Sequence, residues 1–374
     1  MYRIDFNPES SEYLTQQLLT YIGNKRKLVD FIDQAVLACK DRLGTEKVSM
    51  LDGFAGSGIV SRSFKRHASR LISNDLERYA EIVGNCYLAN YSEVDIDAVR
   101  WWINELNETR AAPIAERLPG VIETLYAPKD ETAIKPGERA FYTPQNARDI
   151  DTMRLRIDTA PEDLRPFLLA PLLHAASVHA NTSGVFKGFY KDKNTGLGKF
   201  GGTGADALNR IMAPIVLKAP IFSHFECDWE MHRRDANDLV KEIEVDVAYF
   251  DPPYNQHPYG SNYFMLNVIV DNEWPQEMSE VSGIPTDWNK SAYNKKREVS
   301  GALEALIRDT RAKYILISYN NEGFVSEDEF REIINRHGAL EEVRKHEHPT
   351  FRGSRGGFDN RAKSVDELLF VVRK

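Results

Sequence analysis

The segment Val245–Tyr254, VDVAYFDPPY, constrains the fold more than any other stretch of this chain. Five of the six residues before Asp251 are β-branched, aromatic or small and apolar, the pattern of a strand buried on both faces of a parallel sheet. Two prolines forbid its continuation, because each lacks an N–H and fixes its own φ. The residue before a proline is pushed into an extended conformation, so the strand ends in a stiff elbow. Open α/β sheets bind their ligands at that carboxyl edge. The elbow presents a carboxylate (Asp251), backbone carbonyls and an aromatic face (Tyr254). Such a set suits a flat base with an exocyclic amine, whose hydrogens need acceptors and whose π-face needs a stacking partner.

A chain of 374 residues has room for one large domain with an insertion, or for two domains. No apolar run is long enough for a membrane span, and no secretion signal is read at the start. Cys39, Cys86 and Cys227 are scattered and odd in number, which fits a reducing cytoplasm and gives no zinc spacing. His346-Glu347-His348 lacks helical i, i+4 pairing and reads as a solvated strand edge, so no metal is expected. The net charge of −8 requires that any nucleic-acid binding come from local basic patches.

In chain order, Tyr21-Ile22-Gly23-Asn24-Lys25 precedes an amphipathic helix over residues 26–36. A cation near a helix start opposes the macrodipole, so Lys25 needs an anionic partner or remains a solvated first-turn lysine. Residues 47–59 read as a strand, a glycine-rich turn (Phe54-Ala55-Gly56-Ser57-Gly58) and a helix start. A second strand, residues 70–75, ends in Asp75. The interval from Gly56, 75 − 56 = 19 residues, is close to the roughly 20 that separate a nucleoside-binding glycine turn from its ribose-binding acid.

From about residue 91 to residue 222 the βαβ rhythm gives way to short helices. One starts at Thr143-Pro144 with Thr143 as N-cap, and an apolar one over 166–180 holds His174 and His179 as packed histidines. Residues 182–202 carry Lys187, Lys191, Lys193 and Lys199 against a single acid, with a hairpin turn over Asn194–Gly198. Lysines there can contact phosphates. Asp235 either caps a short helix or reaches a ligand. A long polar segment, residues 271–299, holds Lys295, Lys296 and Arg297, and Phe351–Arg355 forms a second basic turn with Arg352 and Arg355. Buried strands are expected over 314–319 and 368–372.

These parts, in this order, resemble the D12 class of adenine-N6 DNA methyltransferases. The resemblance rests on Tyr21–Lys25, Phe54–Gly58, Asn74-Asp75, Asp235, Asp251-Pro252-Pro253-Tyr254 and the strand Ile315–Tyr319. It implies an α/β, Rossmann-like S-adenosylmethionine-dependent fold formed by residues 1–90 and 223–374. The remaining 91–222 would be an inserted, mainly helical target-recognition region carrying the basic hairpin, which matches the family only loosely. Asp251, Pro252, Pro253 and Tyr254 would be catalytic. Tyr21, Lys25, Asp52, Phe54, Ala55, Gly56, Ser57, Gly58, Asp75 and Asp235 would bind S-adenosylmethionine, with Asp75 on the ribose, Asp235 on the adenine amine, and Tyr21 and Lys25 at the carboxylate end.

The expected substrate is double-stranded DNA with the target adenine flipped out. The expected DNA contacts are the four hairpin lysines, Lys295–Arg297, Arg352 and Arg355. The resemblance leaves open a cognate restriction endonuclease acting separately, and it implies a monomer without membrane attachment in a prokaryotic or phage-encoded cytoplasmic setting. A cytosine-N4 methyltransferase shares the amine logic but more often carries Ser at the Asp251 position. A non-catalytic DNA-binding module on the same fold is the alternative from another class.

Overall fold

The computed structural model describes residues 9–113, 116–202, 205–320, 323–349 and 364–374. Seven strands form one sheet: β1 (Val48–Asp52), β2 (Ala68–Asp75), β3 (Asp228–Arg233), β4 (Glu244–Phe250), β5 (Arg311–Asn320), β6 (Ala339–Pro349) and β7 (Ser364–Arg373). Their order is β3-β2-β1-β4-β5-β7-β6. The first five are mutually parallel, and β7 runs antiparallel to both β5 and β6. The strand order reverses between β1 and β4, where Asp52 sits opposite Tyr249. The ligand crevice of such a sheet opens at that reversal.

The apolar run of β4 follows from its position. Val247 and Tyr249 pack on one face with the helices Val29–Leu43 and Ile59–Phe64. Ala248 and Phe250 pack on the other with the helices Val299–Asp309 and Glu327–His337. All four are essentially inaccessible. Burying a valine or phenylalanine fully contributes on the order of 2 kcal/mol, so this strand is fixed in place as well as direction. The α/β architecture with a helical insertion is therefore as the sequence suggests.

The helices between β2 and β3 share one core with elements on either side of them. Helices Ile96–Glu108, Val121–Tyr126, Pro144–Ile157 and Arg165–Val178 pack with helices Arg78–Tyr87 and Phe264–Asp271 in one cluster. Thr143 caps its helix as expected, its side chain accepting from the Asn146 N–H at 3.1 Å. His174 Nδ1 lies 2.8 Å from the Leu18 carbonyl and His179 Nδ1 2.6 Å from that of Arg210, so both are packed, hydrogen-bonded histidines.

Three local features carry little signal in the sequence. β3, Asp-Trp-Glu-Met-His-Arg, is a half-exposed edge strand, and so carries no apolar signal. The helix after Tyr259 breaks at Tyr263 into Tyr259–Asn262 and Phe264–Asp271. The polar segment after Asp271 is ordered, with a Met278–Pro285 bridge and a helical turn at Ala292–Asn294. No helix among the described residues is long and apolar enough to cross a membrane, and no metal-binding cluster of His, Cys, Asp or Glu occurs among them.

Candidate active site

A cleft of about 890 Å³, including its open mouth, lies at the carboxyl ends of β1, β2 and β4. Its floor begins with the turn after β1. Gly56 and Gly58 adopt φ of +53° and +76°, which an L side chain rarely takes. Asp75 fixes that turn: Oδ2 accepts from the Gly56 N–H at 2.8 Å and Oδ1 from the Glu77 N–H at 2.9 Å. Burial pushes the Asp75 carboxyl above its usual range, opposed by these amides. Asn74 ties three strand ends together. Its amide donates to the carbonyls of Gly53 and Arg234 at 3.1 Å each, and its Oδ1 accepts from the Arg234 N–H.

Phe54 packs edge-on against Phe250 and Tyr293, with centroids 6.2 and 5.2 Å away. Asp235 both lines the cleft and caps the short helix Ala236–Leu239, accepting from the Asn237 N–H at 2.8 Å. The two readings of Asp235 are thus compatible: one oxygen caps, the other remains for a ligand.

Asp52 is corrected. It does not line the cleft; it is fully buried beneath the turn, where Oδ2 accepts from the Ser61 hydroxyl at 2.5 Å. Burial lifts its carboxyl to about 7, with the charges of Asp251 and Asp75 acting in the same direction. Gly58 also stays off the cleft wall and serves as the left-handed N-cap of the following helix.

The elbow brings Asp251 and Pro253 to the cleft wall, with Pro252 buried behind. Lys25 Nζ lies 3.1 Å from Asp251 Oδ1 and 3.4 Å from both carboxylate oxygens of Glu367 on β7. The three side chains are only 3%, 17% and 11% exposed. Lys25, which also lines the cleft, therefore has anionic partners within the protein. Burial opposes the charge on Lys25, but Asp251 and Glu367 outweigh it and hold its pKa above the ordinary lysine value. Burial likewise lifts the Asp251 carboxyl to about 6, Lys25 pulling it down and Glu367 pushing it up.

Tyr254 does not line the cleft. Its ring stands 6.1 Å from that of Tyr319 and 5.9 Å from the Lys25 ammonium, and its carbonyl accepts from the Phe324 N–H. Tyr21 stacks on Tyr259 and Tyr263 at 5.1 and 4.6 Å. The Ile22 N–H donates to the Tyr263 hydroxyl at 2.7 Å, and the Tyr259 hydroxyl donates to the Ile22 carbonyl at 3.3 Å. Those bonds fasten the Tyr21–Lys25 loop to the segment after the elbow.

The sequence reading missed Glu77, Asn289, Ser291, Tyr293 and Asn294, which also line the cleft. Asn289 donates to the Leu76 carbonyl and to Glu77, so the polar segment straps the cleft's outer side. Only the unusual length of that segment hinted at a role.

Residues 21–333 match the D12 class N6 adenine-specific DNA methyltransferase family. The chain belongs to that class. It is 31% identical over 368 residues to the Type II methyltransferase M.NlaIII of Neisseria lactamica, covering 95% of this chain and 99% of that protein. It is also 31% identical to the Type II methyltransferase M.CviAII of Paramecium bursaria Chlorella virus 1, covering 94% and 97%. Identity to the Type II methyltransferase M.FokI of Planomicrobium okeanokoites is 26%, over 95% of this chain and 53% of that longer protein.

As a D12 methyltransferase the enzyme is a site-specific adenine methylase of the restriction-modification kind, with S-adenosylmethionine as methyl donor. The cleft suits that cofactor. Asp75 and Asp235 are acceptors for hydroxyl and amine hydrogens, while the backbone of Gly56 and Ser57 and the side chains of Ser57 and Asn24 can meet a carboxylate.

In this D12 enzyme the basic hairpin forms as expected, with Lys191 bridged to Gly198 and the Asp192 N–H donating to the Leu197 carbonyl at 2.9 Å. Lys187, Lys191, Lys193 and Lys199 are exposed. The Phe186 N–H donates to the Asn262 carbonyl at 2.7 Å, which ties the chain leading into the hairpin to the segment that follows the elbow. Lys295, Lys296 and Arg297 are exposed beside cleft residue Asn294, although Lys295 also pairs with Glu298 at 3.0 Å. Arg352 and Arg355 lie outside the described residues.

Proposed function

We propose that the enzyme methylates N6 of an adenine flipped out of double-stranded DNA, with Asp251, Pro252 and Tyr254 receiving the base. Residues 1–90 and 223–374 act as the catalytic part, and 91–222 read the target. The observation that carries this reading is the Asp251 carboxylate, held at the cleft wall by Lys25 and followed in sequence by Pro252, Pro253 and Tyr254.

Adenine's exocyclic nitrogen shares its lone pair with the ring and is a weak nucleophile. Asp251 Oδ2 and the Pro252 carbonyl each accept one N–H, which draws the nitrogen towards sp³ and frees the pair. Bound S-adenosylmethionine supplies a sulfonium methyl to that nitrogen, the C–S electron pair returning to sulfur. Positive charge then grows on the nitrogen, and the Asp251 carboxylate interacts with it more strongly in the transition state than in the ground state. Much of the remaining rate comes from holding the amine in line. The product cation loses its extra proton to the carboxylate and thence to water. An amine inside a duplex is out of reach, so the base leaves the stack, and the Tyr254 ring is its platform.

Tyr21, Phe54–Ser57, Asp75 and Asp235 hold the cofactor in this reading. The hairpin lysines and Lys295–Arg297 contact phosphates, with Arg352 and Arg355 proposed alongside them from the sequence. The enzyme acts as a cytoplasmic monomer, any cognate endonuclease being a separate protein. Expressing it in a host without DNA methylation and mapping modified bases tests the reading. N6-methyladenine at one recurring sequence is expected; N4-methylcytosine, or no modified base, would overturn it.

A further inference from the structure

We propose that Glu367 is a positioning residue for methyl transfer, holding Lys25 off full neutralisation of Asp251 so that the acceptor keeps its negative field. The inference rests on the reading of Asp251 as the amine acceptor. Glu367 stands on β7, far in sequence from both partners, yet its two oxygens lie equally far from the ammonium, at 3.4 Å. A lysine paired with Asp251 alone would make a neutral buried couple and would compete with the substrate amine for the carboxylate. Sharing the ammonium with a second carboxylate leaves the trio with one net negative charge where a cation must develop. The pairing is also incomplete in geometry: Asp251 Oδ1 is buried and in ionic contact with Lys25 but makes no well-aligned hydrogen bond.

Asp251 is faced by Lys25 from the loop before the first long helix and by Glu367 from β7. Among the described residues, Asp52 below the glycine turn, Tyr249 in β4 and Tyr259 after the elbow are further ionisable groups that interact with it. Removing the Glu367 charge eliminates one of the influences that lift the Asp251 carboxyl.

The test is single-turnover methylation by the full-length enzyme from pH 5 to pH 9, with cofactor and DNA affinities measured alongside. Glu367→Gln keeps the size and a hydrogen bond to Lys25 while removing the charge. Its plateau rate should fall roughly ten- to a hundredfold, its acid limb should move down by about one pH unit, and both affinities should stay within about twofold of the parent. Glu367→Asp keeps the charge, so its acid limb should stay where the parent's is even if its rate falls, and it serves if the glutamine variant does not fold.

An unchanged rate and limb in Glu367→Gln, or a limb displaced equally in Glu367→Asp, would overturn the proposal. So would a defect confined to cofactor affinity. Asp251→Ala, run in parallel, separates the two readings: activity in that variant sinks the role of Asp251 itself. An inactive Asp251→Ala beside a parent-like Glu367→Gln sinks only the role of Glu367.

Discussion

The ammonium of Lys25 lies 3.1 Å from Oδ1 of Asp251, joining the loop before the first long helix to the elbow that ends β4. For the role proposed for it, the Asp251 carboxylate needs orientation as well as position. Here the strand supplies position through its buried faces, and the lysine fixes which carboxylate oxygen faces the protein.

Asp75 holds the glycine turn by two backbone N–H groups and borders the cleft. Asp75→Ala should weaken S-adenosylmethionine binding by about 1–3 kcal/mol, the cost of leaving buried polar groups unpaired. Calorimetry with the cofactor checks it, and unchanged affinity would reduce Asp75 to a backbone brace.

Asp52 gives a stability prediction with a definite sign. Its carboxyl titrates near 7 in the folded chain and near 4 when unfolded, so between those values the folded state holds a proton that the unfolded state has released. That contribution to stability is present below pH 4 and lost as pH rises through 7. Asp52→Asn carries no such proton. Its melting temperature relative to the parent should therefore be a few degrees higher at pH 8 than at pH 5. A difference independent of pH would show that Asp52 is ionised throughout.

The lysine hairpin is exposed on an acidic protein, and the chain leading into it is tied to the segment that follows the elbow. Deleting one lysine–phosphate pairing lowers the salt slope by about 1, so Lys191→Ala with Lys193→Ala should flatten it by about 2 and weaken DNA binding. Cofactor affinity should not change. Identical slopes for parent and double variant would make the hairpin a solvated loop.

The strands that carry the site were legible because both faces of a parallel sheet are buried: β4 and β5 are nearly continuous apolar runs. β3 was not, since an edge strand half in water has no need of them. The elbow and the glycine turn were equally legible, because proline and glycine act locally on the backbone. What escaped was anything fixed by tertiary approach. Nothing near Lys25 in sequence announces that its counter-charges come from the elbow after β4 and from β7. Asp52 sits two residues before the glycine turn and looks like a ligand contact, but the strand's pleat points it into the core. Glu77 and Asn289 meet only because the polar segment folds back across the cleft.

The central claim is that Asp251 accepts the substrate amine, and single-turnover methyl transfer by Asp251→Ala tests it most directly. The variant should melt cooperatively and bind S-adenosylmethionine within a few-fold of the parent, because the cofactor contacts proposed here lie on the turn after β1 and at Asp75 and Asp235. Its transfer rate should fall by about 10³-fold or more, the scale on which removing one preorganised electrostatic group acts. A folded Asp251→Ala protein that methylates adenine within tenfold of the parent rate would contradict the account.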